Sequence, residues 1–342
     1  MVRFAAFLGI LLCAAEARCE PPMPPPIDYT VPGILADVGG GRHIDMICAG
    51  AGSPTVLLIA GLGNSAVVWD QVQRQLAGVT RVCALDRAGF GFSDGSRRPQ
   101  TALERTEDIE RALRPARIGG PYVLVGHSLG SYESLVFADR NKRSLAGLVL
   151  VDPSLPDEMR QLGAKAPAAM AYSEKRYVES VDSVAKCAAQ IRSAKARPDH
   201  DADGCFQYPP YYPEALTARL VSLDTDPLRQ ATKVSLYRHG TDSADSRTAP
   251  VLSPRRNYGD IPLIVLSADP PFKAPTDAPA DAVAEQPKVQ AEWRKAHDEL
   301  AHLSVRGEHR IVAGSQHAIQ RSNPDAVIDA VIEVVAKARR KS

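Results

Sequence analysis

The chain has 342 residues, 44% of them hydrophobic, enough for one large core or two modest domains. Its 41 Lys and Arg nearly balance 40 Asp and Glu, and the resulting formal charge of +1 is spread along the chain. That excludes an electrostatic case for nucleic-acid binding, which needs concentrated positive charge. The first 17 residues carry Arg3, an apolar run from Phe4 to Ala15 and the small-x-small triplet Ala15-Glu16-Ala17. This is the pattern of a cleaved secretory signal, and the run is too short for a stable membrane anchor, which takes about 20 apolar residues. Export to a periplasmic or extracellular space would let cysteines pair. Of the six cysteines, Cys187 and Cys205 bracket a short polar loop and could pair, while Cys19 falls in the leader.

Residues 18–33 are Pro-rich, with Pro24-Pro25-Pro26, and read as an extended leader. Ile34–Val38 and Arg42–Cys48 flank Gly39-Gly40-Gly41 and predict a hairpin. Thr55–Ala60 is a continuous aliphatic run, the mark of a strand buried on both faces. It ends in Gly61-Leu62-Gly63, and Trp69–Ala77 then reads as a helix. Arg81–Leu85 is a second buried strand, closing on Asp86-Arg87-x-Gly-x-Gly-x-Ser93, which we read as a tight loop permitted by its glycines and braced by Asp86 and Arg87. A helix over Ala102–Leu113 leads to the strand Tyr122–Val125, and Gly147–Val151 predicts a further strand stopped by Asp152-Pro153. Strands alternating with helices imply βαβ units and a mainly parallel sheet, whose ligands bind past the carboxyl ends of the strands.

Residues 154–260 differ: helical segments of mixed polarity, Ala171–Arg192 and Glu214–Leu223, surround the stretch Tyr208-Pro209-Pro210-Tyr211-Tyr212-Pro213. Strand signals resume at Pro262–Leu266, so this segment reads as a helical cap inserted between two parts of a core, 34–153 and 261–342. Pro270–Pro287 reads as a Pro/Ala surface loop, Val289–Leu303 as a helix, His309–Val312 as the last strand and Pro324–Ala336 as the closing helix.

Gly126-His127-Ser128-Leu129-Gly130 lies between a buried strand and a helical pattern. That placement leaves room only for a sharp turn in which Ser128 sits at the tip, because a Cβ at either glycine would strike the neighbouring element. The stretch resembles the nucleophile elbow of the α/β-hydrolase superfamily, as serine esterases and lipases carry it. The resemblance covers 34–151 and 262–336 but not the cap, and implies an α/β-hydrolase sheet with a cap after its sixth strand. It also makes the strands bearing Cys48 and Cys83 neighbours, so those two cysteines could pair.

A serine hydroxyl needs a base within hydrogen-bond reach, and enzymes of this type order nucleophile, acid and histidine along the chain. His317, four to five residues beyond the last strand, fits; its loop, Ala313-Gly314-Ser315-Gln316-His317, is similar to the superfamily's histidine loop, with Gln316 in place of the usual glycine. His127 is pinned inside the elbow, and His43, His200, His239, His297, His302 and His309 are read as ordinary surface or packing residues. Two acids compete. Asp269 follows the strand at 262–266 but comes early against Pro270-Pro271; Asp152 ends the strand before the cap, where some lipases of the superfamily keep theirs, and is preferred. The resemblance implies oxyanion donors at the amides of Leu129 and Leu62, Gly61-Leu62-Gly63 being similar to the superfamily's oxyanion loop with Ala60 in its histidine place.

The expectation is an exported serine hydrolase that cleaves a carboxylic ester of a small-molecule acyl substrate, with neither metal nor organic cofactor. An amidase, peptidase, lactonase or carbon–carbon bond hydrolase on the same residues, or a non-catalytic ligand-binding member of the fold, are the alternatives. Haloalkane and epoxide chemistry on this fold uses a carboxylate at the elbow, which Ser128 argues against.

Overall fold

The computed structural model describes residues 27–155, 158–239, 256–269 and 276–340. The secretory segment 1–17, Cys13 and Cys19, most of the Pro-rich leader and Pro270-Pro271 lie outside these residues.

Eight strands form one sheet: β1 Ile34–Gly39, β2 Arg42–Ala49, β3 Thr55–Ile59, β4 Val82–Leu85, β5 Tyr122–His127, β6 Leu145–Val151, β7 Leu263–Asp269 and β8 Gly307–Ala313. Their order across the sheet is β1-β2-β4-β3-β5-β6-β7-β8. The β1–β2 and β2–β4 pairs are antiparallel and every later pair is parallel. The central strands are wholly buried because helices cover both faces, as a parallel sheet requires.

The helices are α1 Asp70–Leu76, α2 Ala102–Leu113, α3 Gly130–Arg140, α4 Glu158–Gly163, α5 Pro167–Arg192, α6 Glu214–Leu223, α7 Pro227–His239, α8 Ala280–Ala284, α9 Gln286–Ala301, α10 Ile319–Ser322 and α11 Pro324–Arg339. The strands divide their side chains by the two-residue period. Leu57 and Ile59 of β3 face a core shared with Ile109 of α2, Leu135 of α3 and Trp293 of α9, whereas Val56 and Leu58 face Val72 of α1 and Val331 and Val334 of α11. Helices α4 to α7 lie between β6 and β7, at the position expected of the cap.

The expected hairpin, strands and helices recur with ends shifted by a few residues, and α2 and α6 at the boundaries read from sequence. Several elements depart from expectation, among them the short helices α4 and α10, which have no counterpart in the sequence reading. The segment read as a Pro/Ala loop up to residue 287 contains α8, and α9 begins at Gln286, because alanine favours helix and Pro287 occupies the first turn, where a missing N–H costs nothing. Helix α7 has no counterpart among the expected elements: its buried residues are Arg229, Gln230, Thr232 and Leu236, a face too polar to register as an apolar stripe.

Among the described residues no helix is long and apolar enough to cross a membrane. Both candidate cysteine pairs are disulfides. Cys187–Cys205 staples the end of α5 to the loop that follows, and Cys48–Cys83 joins directly opposed residues of β2 and β4. A cross-link 35 residues apart restricts the unfolded chain. Replacing Cys48 and Cys83 together by alanine is therefore expected to lower unfolding free energy by about 2–4 kcal/mol, read from the shift in urea midpoint.

Candidate active site

The elbow has the close approaches its glycines predict. A Cβ on Gly126 would lie 2.5 Å from both the Gly130 carbonyl oxygen and Ser134 Oγ, and one on Gly130 would lie 2.7 Å from the Ala60 oxygen. Between them Ser128 takes a φ of +50°, a conformation that L-residues adopt at a cost of about 1–2 kcal/mol, and its N–H is tied to the Val151 carbonyl at 3.0 Å. The strain is held by parallel strands on either side and by the start of α3.

His317 enters from the loop after β8. Its Nδ1 lies 2.6 Å from Asp152 Oδ2, and its Nε2 lies 2.9 Å from Ser128 Oγ. An ionised carboxylate only accepts, so Nδ1 carries a hydrogen; in the neutral ring Nε2 is then bare and the Ser128 hydroxyl donates to it. Asp152, fully buried, also has a positive φ, +40°. Its second oxygen, Oδ1, accepts from the Ala268 amide at 3.1 Å and from Trp293 Nε1 at 3.2 Å. Burial opposes ionisation of Asp152, but the His317 hydrogen bond, the neighbouring imidazoles and the Ala268 amide outweigh it and hold the carboxyl below the usual carboxylate range.

Asp269, the competing acid, is not part of this line. Its carboxylate pairs with Arg294, both groups partly exposed, while its carbonyl accepts from the Gly314 amide at 2.9 Å. It anchors the start of the histidine loop through its backbone.

The two residues whose amides are expected to face an oxyanion pack in one cluster. Leu62 packs against the cluster that contains Leu129, and a Cβ on Gly61 would fall 3.3 Å from Ser128 Cβ. Among the described residues neither amide donates to a backbone or side-chain acceptor. For Leu129, at the start of α3, that is the ordinary fate of a first-turn N–H, which leaves it open to a ligand.

The loop carrying Leu62 is gripped from below. Arg87 donates from Nη1 to the Gly61 carbonyl at 2.9 Å and from Nη2 to the Ala60 carbonyl. The same guanidinium meets Glu133 of α3 at 2.8 Å, and Arg105 Nε meets it at 2.5 Å, all three side chains being buried. Thus Arg87 braces the loop after β3 with Glu133 as its partner, and Asp86 acts separately: its carboxylate accepts from the amides of Ala66 at 2.6 Å and Phe92 at 3.2 Å. The cap touches the same loop, through Tyr212 Oη on Ser65 Oγ at 2.9 Å and Tyr211 Oη on Asn64 Oδ1 at 3.3 Å.

Several neighbours of the site are not singled out by the sequence. Ser154 Oγ lies 3.5 Å from Ser128 Oγ. His127 Nε2 donates to the His317 carbonyl at 3.0 Å, so the elbow itself steadies the histidine loop; burial, with His317 nearby, pushes its pKa down to about 3 and keeps the ring neutral. Trp293 and His297 lie one turn apart on α9, a spacing visible in the sequence, but their targets, Asp152 and the Pro153 carbonyl, are more than 140 residues away. His297 and His309 are therefore bonded interior groups. Among the described residues no cluster of His, Cys, Asp and Glu is arranged to hold a metal ion.

The chain's relatives agree with this architecture. YqjL of Bacillus subtilis (strain 168), an uncharacterised protein, is 33% identical over 108 residues, 32% of this chain and 43% of YqjL. The chain thus spans less than half the length of the curated relatives it matches. Among solved structures, a putative lipase from Acinetobacter baumannii AYE is similar with a TM-score of 0.62 at 18% identity, covering 92% of this chain and 94% of that one. Haloalkane dehalogenase DbeA from Bradyrhizobium elkani USDA94 gives 0.62 at 15% identity, over 88% and 97%. At such identities these two likenesses concern the fold alone. Residues 56–330 match the model of the alpha/beta hydrolase family, which is most of the chain. The protein belongs to the alpha/beta hydrolase family.

Proposed function

We propose that the protein is an exported serine hydrolase that cleaves a carboxylic ester through an acyl-enzyme on Ser128. The observation that carries this reading is the hydrogen-bonded line from Asp152 through His317 to Ser128, with its proton direction fixed by the carboxylate. His317 Nε2 takes the hydroxyl proton as Ser128 Oγ bonds to the ester carbonyl carbon, and returns it to the departing alkoxide as the carbon–oxygen bond breaks. A water then gives a proton to the same nitrogen, attacks the acyl carbon, and Ser128 leaves with the proton restored. Asp152 holds the ring in the required tautomer and stabilises the imidazolium that forms at each step. The amides of Leu62 and Leu129 receive the tetrahedral oxyanion, each such donor being worth about 3–4 kcal/mol of transition-state stabilisation.

The haloalkane dehalogenase shares the fold, but a serine at the elbow cannot form the ester intermediate that a carboxylate forms with an alkyl halide. A carbonyl carbon suits the hydroxyl and the two amides. Export is supported by the two disulfides.

A p-nitrophenyl alkylphosphonate is expected to release one equivalent of p-nitrophenol per chain, with the phosphonyl group recovered by peptide mapping on Ser128. Absence of labelling in folded protein would favour a non-catalytic ligand-binding member of the fold.

A further inference from the structure

Behind Asp152 a second line of hydrogen bonds runs through the interior, used by none of the steps above. His297 Nε2 lies 2.9 Å from the Pro153 carbonyl, His297 Nδ1 lies 2.5 Å from Ser267 Oγ, and the same oxygen lies 2.8 Å from His309 Nε2. At its outer end, His309 Nδ1 faces Asp298 at 3.7 Å.

The chemistry of the groups fixes the direction of this line. A carbonyl oxygen only accepts, so His297 Nε2 carries a hydrogen. Burial pushes the His297 pKa down to about 4, against the attraction of Asp152, so the ring is neutral near pH 7 and Nδ1 is bare. Ser267 must then spend its one proton on His297 Nδ1, and its oxygen accepts from His309 Nε2. Protonating His309 at its outer nitrogen leaves this order unchanged, whereas protonating His297 would reverse it.

We propose that His297, locked in its Nε2–H tautomer by Ser267 and His309, is a positioning residue that holds the Asp152–Pro153 turn so that the Asp152 carboxylate faces His317. This rests on the reading that Ser128, His317 and Asp152 carry the chemistry. Helix α9 grips the turn twice, by Trp293 on the carboxylate and by His297 on the next carbonyl. A grip is needed there because Asp152 has a positive φ that its side chain disfavours. A loosened turn costs alignment rather than binding, and misplacement of the acid by a fraction of an ångström is enough to slow the proton transfers.

Glutamine can imitate both ring nitrogens, donating from its amide to Pro153 and accepting from Ser267 through its oxygen. His297→Gln is expected to keep kcat for a p-nitrophenyl ester within about threefold, and His297→Leu to lose about tenfold or more in kcat with KM within about twofold. Ser267→Thr and Ser267→Val add equal bulk and differ in the hydroxyl, so the first is expected to retain more kcat than the second. In wild type, nitrogen NMR of labelled histidine is expected to place the His297 proton on Nε2.

The acid side supplies an independent readout. The groups facing His297 are Asp152, His309 and His317, with Arg294 and Asp298 beyond His309 on its own helix. The unfolded imidazole takes up a proton below about pH 6.5 and the folded one resists until about 4, so stability falls as pH falls through that window. His297→Gln is expected to flatten that fall in urea midpoint, leaving the shares due to His127 and His309.

A proton found on Nδ1, or equal kcat for the Leu and Gln variants when both melt as folded proteins, would overturn the proposal. If wild type hydrolyses no ester while the tautomer is as stated and the pH slope flattens, the positioning geometry stands and the hydrolase reading fails instead.

Discussion

Asp152→Asn is expected to lower kcat for a p-nitrophenyl ester by about 10⁴-fold, the scale known for serine hydrolases whose buried acid is replaced by its amide. The cause can be followed atom by atom. Two donors, the Ala268 amide and Trp293 Nε1, already point at Oδ1, so the amide oxygen of the variant settles there. Its NH2 group then faces His317 Nδ1 across 2.6 Å, and two donors cannot share that contact. The imidazole moves its proton to Nε2, where it meets the Ser128 hydroxyl with nothing left to accept. Ser128→Ala removes the nucleophile itself, and the expected loss is larger, up to about 10⁶-fold. Asp269→Asn breaks only a partly exposed pair with Arg294, and kcat is expected to stay within about threefold of wild type. Steady-state kinetics on the three variants and wild type decide the matter; comparable losses at the two aspartates would transfer the acid role from Asp152.

The largest effect on stability is expected at Glu133. Its fully buried carboxylate is the counter-charge for two buried guanidinium groups. Burial alone would raise the Glu133 pKa, yet the charges of Arg87 and Arg105 hold it below the usual carboxylate range. Glu133→Ala leaves two cations in a dry interior and is expected to cost about 3–5 kcal/mol of unfolding free energy, seen as a lower urea midpoint. Arg87 is also what grips the Ala60 and Gly61 carbonyls, so the variant is expected to lose turnover in its folded fraction as the Leu62 amide shifts. Glu107→Gln, on the half-exposed face of α2, is the control and is expected to change the midpoint little. An unchanged midpoint for Glu133→Ala would mean that water or another acceptor reaches those guanidinium groups.

The parts of the site that could be read from sequence are those whose chemistry is written in local spacing. The glycines around Ser128 announce a turn that only they can make, and the superfamily's order of nucleophile, acid and histidine points to His317, which alone falls between the last strand and the closing helix. Asp152 is preferred to Asp269 through the resemblance, because some lipases of the superfamily keep their acid at the end of that strand, and its carboxylate lies against His317. What escaped is of two kinds. Helix α7 buries Arg229, whose guanidinium serves the carbonyls of Gly91 and Ser93 as well as Asp224, so its inward face looks like an outward one. The line through Ser267, His297 and His309 depends on contacts between β7, α9 and β8, and no spacing along the chain reports which polar groups will meet after folding. The same holds for Glu133, which reads as the polar face of a helix until Arg87 and Arg105 arrive from elsewhere.

The tyrosines that close on Ser65 and Asn64 have a mechanical consequence. The segment they hold also bears Leu62, with Arg321 stacked 4.2 Å from the Tyr211 ring to lock that corner against the closing helices. On the proposed function, the cap and the loop bearing the Leu62 amide are thereby tied at one corner, so a displacement of the cap there would shift that amide. Shortening Tyr211 and Tyr212 together would then lower turnover without touching Ser128, His317 or Asp152.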